Sequence, residues 1–167
     1  MAILMDETRD PIQNSDKTQE RLYLEDLNVG QRFTSGSYVM EAARIKQFAE
    51  EFDPQPFHLD ETAAQNSIFK GLVASGWHTA AVAMRLFVGG GLPLANGLIG
   101  LGVEVLWPKP TRPGDIVNVE SEIIEIIPSR SKPHQGVVKV RGTMFNQNGE
   151  IVYQMMANLL VFKRGKK

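Results

Sequence analysis

The second half of this chain consists of four long segments in which apolar and polar residues alternate. Alternation with a period of two predicts half-buried β-strands. Between the last two segments, Asn148-Gly149 is a strong hairpin signal, because both residue types tolerate the backbone of a tight turn. We therefore expect a mainly antiparallel sheet. The predicted strands cover residues 98–106, 115–127, 136–145 and 151–162.

The segment before these strands, residues 75–88, is rich in alanine and carries Arg85 as its only formal charge. A helix that is apolar on nearly all sides is buried, so this segment predicts a central helix. Further upstream, the spacing of apolar residues predicts a strand, an amphipathic helix and a short helix capped by Asp60. Early helices and late strands indicate the α+β class, with a curved antiparallel sheet wrapped around a long buried helix. The upstream elements cover residues 33–40, 41–51 and 61–66.

At 167 residues the chain has the length of one domain. Its 18 basic and 19 acidic residues give a net charge of −1, which argues against a general nucleic-acid binder. The absence of cysteine excludes disulfides and thiolate nucleophiles, and three histidines argue against a histidine-rich metal site. Residues 1–19 predict a flexible tail, 20–163 a single domain and 164–167 a basic tail. No segment resembles a secretory leader, so we expect a cytoplasmic protein without a membrane span.

Three residues near two turns have the chemistry of an acid–base site. Asp53 and His58 lie five positions apart on a segment stiffened by Pro54 and Pro56. A carboxylate and an imidazole are suited to general acid–base work near neutral pH. Gly76 lies at the start of the predicted central helix, where N–H groups lack partners and favour developing negative charge. Together these groups suit chemistry next to a thioester carbonyl.

Each of these residues also has a purely structural interpretation. Asp53 could bond its own turn, His58 could be a buried structural histidine, and Gly76 could serve helix–sheet packing. His78, two positions after Gly76, is expected in the core or at an interface rather than in a site. Spacing alone leaves these alternatives open.

Three motifs follow one another in the chain: residues 53–58 with the small residue Ala64, then residues 69–77, then residues 105–115 ending in Gly-Asp. In this order they resemble the signatures of the MaoC-like dehydratases, the (R)-specific enoyl-CoA hydratases of hot-dog fold. The first motif reads Asp-Pro-Gln-Pro-Phe-His where the family has Asp, any residue, Asn, Pro, an aliphatic residue and His. The resemblance runs over residues 24–162, which is nearly the whole predicted domain.

The resemblance implies a hot-dog fold and the addition of water to trans-2-enoyl-CoA, or its removal from (R)-3-hydroxyacyl-CoA. It implies that Asp53 and His58 activate the water and supply the proton at the α-carbon, while the Gly76 N–H binds the thioester oxygen. No metal or organic cofactor is expected, because coenzyme A is part of the substrate. A homodimer or dimer of dimers, paired edge strand to edge strand, is also implied. Further substrate contacts are expected from Gln55, Phe57, Ser75, Trp77, Lys109 and Arg112, with the last two near the phosphates of CoA.

The chain departs from the family pattern beside the expected site. Gln55 stands where Asn is usual, Ser75 where His is usual, and Trp77 where Met is usual. Because Phe57 and Trp77 are bulky, the hypothesis is an acyl group that is branched, aromatic or carries a carboxylate. Two alternatives stay open: thioester hydrolysis, since one fold hosts several activities, and acyl-CoA binding without catalysis.

Overall fold

The computed structural model describes residues 12–13 and 20–165. Within them, four long strands form the greater part of one antiparallel sheet, as the alternation predicts. Their bounds agree with the predicted ones to within one residue, because buried and exposed positions alternate along β5, β6 and most of β7. The seven strands described are β1 (Ile12–Gln13), β2 (Arg32–Thr34), β3 (Ser37–Val39), β4 (Ile99–Leu106), β5 (Ile116–Pro128), β6 (Gln135–Phe145) and β7 (Ile151–Phe162).

The strand order is β1-β3-β5-β6-β7-β4, with β2 also paired to β5. The β6–β7 hairpin is closed by the predicted turn, in which the Gly149 N–H donates to the Asn146 carbonyl at 3.0 Å. Gly149 has a φ of 73°, a conformation that glycine adopts without steric cost. In this strand order β4 lies at an edge of the sheet beside β7, although it comes first of the four long strands in the chain.

The single strand predicted over residues 33–40 is wrong, because the chain breaks at Ser35 into β2 and β3. The Ser35 hydroxyl accepts the Val119 N–H at 2.9 Å and donates to the Gly36 carbonyl at 2.7 Å. A side chain that bonds the backbone in this way offers an alternative to the strand ladder. β2 and β3 consequently pair with successive parts of β5.

The three upstream helices are α1 (Ala42–Phe52), α2 (Pro56–Leu59) and α3 (Glu61–Gln65). The first and third confirm the predicted helices, and the Asp60 side chain caps α3 by accepting the Ala63 N–H at 2.7 Å. α2 is not among the helices that the sequence predicts. It forms because Pro56 occupies its first position, where a fixed φ favours the helix and no N–H is needed.

The central helix α4 (Gly76–Leu86) lies against the sheet, with a π-helical turn over Phe87–Gly91 at its end. Val82, Ala83 and Leu86 are buried on the side that faces the sheet. The expectation of a helix buried all round holds only there. Trp77, Met84 and Val88, at helical spacing, stay exposed because no element of the described residues covers that side.

Parts of both predicted tails lie in the described residues and contact the domain. Ile12–Gln13, inside the predicted flexible tail, pair with β3, and the rest of residues 1–19 lies outside the described residues. Arg164 was expected in a solvated basic tail. Its guanidinium instead donates to Asp26 at 2.9 Å and lies over the ring of Tyr23, 4.7 Å from the centroid, while residues 166–167 are outside the described part.

Candidate active site

Three short junctions bring the predicted acid–base residues to one cleft of about 530 Å³. Asp53 directly follows α1, His58 lies on α2, and Ser75 is the N-cap residue of α4. Proline residues before and within α2 keep the Asp53–His58 segment short and stiff. The cleft is within the size range of small-molecule sites.

Both carboxylate oxygens of Asp53 accept hydrogen bonds from neighbouring side chains. The Ser75 hydroxyl donates to Oδ2 at 2.7 Å, and the Gln55 amide donates to Oδ1 at 2.7 Å. The Ser75 bond is the largest cause that holds the pKa of the Asp53 carboxyl below its usual value. The Gln55 hydrogen bond and, whenever its ring is protonated, the charge of His58 act in the same direction, while burial opposes them. Asp53 is therefore ionised at neutral pH and can only accept hydrogen bonds.

His58 is oriented by the backbone. Its Nδ1 lies 2.8 Å from the Val73 carbonyl oxygen, which can only accept, so Nδ1 carries the proton in that bond. In the neutral ring Nε2 is then a free acceptor, and it lies 3.4 Å from Oδ2 of Asp53. The Phe57 ring packs edge-on against the imidazole at 4.6 Å between centroids. The histidine thus has a defined tautomer and direction.

Gly76 is the first residue of α4, so its N–H has no acceptor within the helix. It lines the same cleft as Asp53 and His58. A Cβ at this position would lie 2.9 Å from the Trp107 ring, which shows how closely the indole approaches. The Trp107 Nε1–H donates to the Gly76 carbonyl at 2.8 Å.

The loop after β4 forms the opposite wall of the cleft. Thr111 is buried there, and its backbone carbonyl accepts the Ala74 N–H at 2.9 Å. The Thr79 hydroxyl lies 3.0 Å from the Thr111 hydroxyl and ties the loop to α4. Sequence reasoning missed Trp107, Thr79 and Thr111 as site residues. The third family motif contains Trp107 and Thr111, but only the folded chain shows that they line one cleft with Gly76.

The remaining predicted contacts separate into two groups. Gln55, Phe57, Trp77 and Lys109 line the cleft. Arg112 does not: its guanidinium donates to the Phe69 carbonyl at 2.7 Å, so it holds the loop that carries Phe69. Ser75, expected to touch substrate, has its hydroxyl on Asp53 instead. For Ser75 and Arg112, direct contact with substrate remains a prediction.

His78 belongs to the packing between helices rather than to the cleft. Its ring stacks on Phe48 of α1 at 4.8 Å between centroids, and among the described residues nothing pairs with its Nδ1. Burial, and to a lesser extent the positive charge of Arg44, lowers its pKa to about 4. His78 is therefore neutral at physiological pH, in agreement with the predicted core position.

Within the described residues, no three His, Asp or Glu side chains converge as a metal site would require. The same part of the chain has no helix with the length and apolar character needed to cross a membrane. The expectation that chemistry here needs neither metal nor cofactor remains a prediction.

The fold and the cleft define a hot-dog domain with a carboxylate–imidazole pair beside the N-terminus of its central helix. The family model described as "MaoC like domain" matches residues 26–144, so the chain belongs to the MaoC-like family. This confirms the resemblance carried by the three sequence motifs.

Several proteins similar to this chain are named as dehydratases or hydratases. A solved MaoC-like dehydratase from Rhodospirillum rubrum is 56% identical, with a TM-score of 0.86, over 87% of this chain and 99% of that one. The 3-hydroxybutyryl-CoA dehydratase of Methylorubrum extorquens is 34% identical over 66% of this chain and 69% of its own length. The unliganded (R)-hydratase PhaJ1 of Pseudomonas aeruginosa is 26% identical, with a TM-score of 0.70, over 86% and 88%.

Proposed function

We propose that the chain is a hydro-lyase that adds water to a trans-2-enoyl-CoA and removes it from the (R)-3-hydroxyacyl-CoA. One observation carries the proposal. Asp53 Oδ2 and His58 Nε2 lie 3.4 Å apart beside a cleft that also contains the start of α4. The named activities of the dehydratase and hydratase relatives support the same reaction type.

In the hydration direction, the Asp53 carboxylate and the His58 Nε2 act together on one water molecule. Both are acceptors, since Asp53 is ionised and the proton of His58 is on Nδ1 facing Val73. They accept the two protons of the water and direct its lone pair towards the β-carbon of the substrate. As the new C–O bond forms, one water proton passes to the pair, and the pair returns a proton to the α-carbon.

The charge that develops on the thioester oxygen is stabilised at the other side of the cleft. When water attacks the β-carbon, electrons of the double bond move through the α-carbon to that oxygen. The Gly76 N–H, with the partial positive charge at the start of α4, stabilises the resulting enolate. Protonation of the α-carbon then restores the carbonyl, so one water is added and no other species is consumed.

The test is hydration of crotonyl-CoA by the purified protein, followed through loss of the conjugated enoyl absorbance and release of free thiol in the same sample. We expect loss of conjugation without thiol. Asp53→Asn keeps the size of the side chain and removes its charge, so it lowers the rate by roughly 10²–10⁴-fold. Near wild-type hydration by this variant would refute the assigned pair.

The two alternatives give different signals in that sample. Release of thiol would assign the chain to thioester hydrolysis. Tight binding of crotonyl-CoA without either signal would support an acyl-CoA binding protein. The hydratase reaction is favoured because Asp53 and His58 stand in the spacing of the hydratase motif and lie together beside the cleft.

We propose in addition that two copies of the chain pair through β4. Among the described residues no strand pairs with the outer edge of β4. Three apolar side chains of this strand are exposed: Leu101, Val103 and Leu106. Val103, 57% exposed, faces the same side of the sheet as its cross-strand partner Ala157, which is buried in the core. An unpaired, apolar edge strand favours pairing with another copy.

Val103→Asp tests this pairing, because it places a charge in the apolar edge without altering a buried position. We expect a shift from dimer to monomer in sedimentation velocity at micromolar concentration. Ile127→Asp, at an exposed apolar position near the far end of β5, is the matched control and leaves the dimer intact. A monomeric wild-type protein would refute the pairing and leave the hydratase proposal standing.

A further inference from the structure

Two pairs of aromatic rings form the walls of the cleft around Asp53 and His58. Phe57 and Phe69 lie 5.2 Å apart between centroids, and Trp77 and Trp107 lie 5.4 Å apart with their planes nearly perpendicular. All four side chains line the cleft. A group bound between these walls therefore contacts ring faces and edges over much of its surface.

Trp107 is held by a side-chain hydrogen bond as well as by ring contacts. Its indole N–H donates to the Gly76 carbonyl at 2.8 Å, its ring lies against Gly76, and Tyr153 packs edge-on at 6.5 Å. Pro108 and Pro110 follow directly and restrict the loop. Because Gly76 is the residue proposed to bind the thioester oxygen, the ring of Trp107 stands next to the reacting end of the acyl group.

The charges in the cleft bear on which acyl groups it can accept. Among the described lining residues, Lys109 is the only Lys or Arg, and its Nζ is paired with the Glu150 carboxylate. Asp53 is ionised and lies beside the reacting carbons in the proposed mechanism. A carboxylate on the acyl group would lie near the like charge of Asp53. Among the described lining residues it would find no unpaired Lys or Arg, which disfavours its transfer from water.

We propose that the cleft selects an uncharged acyl group with a flat, aromatic body beyond the β-carbon, and that Trp107 sets this preference. The inference rests on the proposed hydratase function and names its substrate class. Of the three acyl types compatible with the bulky residues in the sequence, the geometry favours the aromatic one and opposes the carboxylate. Contacts between aromatic rings add to area burial by an amount that corresponds to roughly 2- to 12-fold in kcat/KM.

Initial rates of dehydration give the sharpest test, because formation of the conjugated enoyl thioester is followed directly. Three substrates with the same spatial arrangement at the β-carbon are compared: the CoA thioesters of (R)-3-hydroxybutyrate and (S)-3-hydroxy-3-phenylpropanoate, and the C4 thioester of (S)-malate, which bears a free carboxylate. The descriptor changes only because phenyl and carboxylate outrank the CH2 group in the priority rules. Since a phenyl group makes dehydration intrinsically easier, the measured quantity is the ratio of kcat/KM for the phenyl and butyryl thioesters, compared between wild type and variants.

Trp107→Leu removes the aromatic face and is expected to lower that ratio by roughly 2- to 12-fold. Trp107→Phe keeps an aromatic face but loses the hydrogen bond to Gly76. It is expected to retain the wild-type ratio. This result would separate the contact between ring and acyl group from a general effect on the fold. Thermal melts check that each variant is folded. Conversion of the malyl thioester by the wild type is expected to be at least tenfold slower than that of the butyryl thioester.

An unchanged ratio in Trp107→Leu would overturn the role of Trp107, and a malyl thioester used as well as the butyryl one would overturn the charge argument. In both cases turnover of the butyryl thioester would leave the hydratase function intact. If the wild type converts none of the three thioesters, the hydratase function itself is overturned together with the acyl preference.

Discussion

His58 and His78 both lie near the start of α4 and are almost equally buried, with 5% and 6% of their surfaces exposed. Their surroundings differ completely. His58 has its Nδ1 on the Val73 carbonyl and its Nε2 close to Asp53, at the wall of the cleft. His78 stacks on Phe48, and its Nδ1 has no partner among the described residues.

The difference shows that burial alone does not distinguish a site histidine from a core histidine. What matters is whether each ring nitrogen has a defined task and whether one of them reaches a space that a ligand can enter. By that criterion we propose that the region around Asp53 and His58 carries out chemistry, whereas the region between α1 and α4 around His78 serves packing. The predictions below test that division.

The largest expected effect separates the two histidines by activity. His58→Ala removes one of the two acceptors of the water and is expected to lower the hydration rate by roughly 10²–10⁴-fold. His78→Phe keeps the ring stacked on Phe48 and leaves the cleft untouched, so its rate stays within a few-fold of wild type. Steady-state hydration of crotonyl-CoA measures both. A comparable loss in the two variants would remove the distinction.

The sequence supported the assignment of His58 because the relevant spacing is local. Asp53 and His58 are five residues apart on a segment constrained by prolines, so the side chains meet without long-range packing. The long strands were equally accessible, since alternation is a property of consecutive residues. Gly76 was identified from the expected helix start, which the structure places within one residue of that position.

The second prediction concerns stability, where His78 is expected to dominate. Burial lowers its pKa from 6.5 to about 4 in the folded protein. Between these values the unfolded chain binds more protons than the folded one, so acid favours unfolding. The free energy of unfolding is expected to fall between pH 6.5 and 4, with up to about 3 kcal/mol of this loss due to His78.

Urea unfolding at several pH values checks this expectation. In His78→Phe the titrating group is absent. The free energy of unfolding is therefore expected to fall less between pH 6.5 and 4 than in the wild type, by up to about 3 kcal/mol. Asp53 contributes at lower pH, because its folded pKa is depressed and its stabilisation is lost as the carboxyl is protonated. An identical pH dependence in wild type and variant would show that His78 is not held neutral by its packing.

Several features of the site could not be read from the sequence because they depend on contacts between distant segments. Trp107 reaches Gly76 only through the placement of β4 beside β7. Arg112 carries a charge suited to phosphate, but the fold places the Phe69 carbonyl within its reach. The exposed side of α4 has the composition of a buried helix, and only the tertiary structure shows which side the sheet leaves open.

The smallest effect is expected at Ser75, which connects the site to the helix start. Ser75→Ala removes the bond that contributes most to the low pKa of Asp53, so that pKa rises. The pKa of the Asp53 carboxyl, followed directly by a carbon-13 NMR titration, therefore moves to higher pH in Ser75→Ala. At pH 7 the carboxylate stays ionised in the variant, so we expect kcat/KM there to fall by less than the roughly 10²-fold expected for His58→Ala. Ser75→Thr retains the hydroxyl and is the matched control. Loss of the helix cap alone would lower thermal stability in Ser75→Ala but leave the pKa of Asp53 at its wild-type value, so that pKa decides between a cap and a residue that tunes the carboxylate.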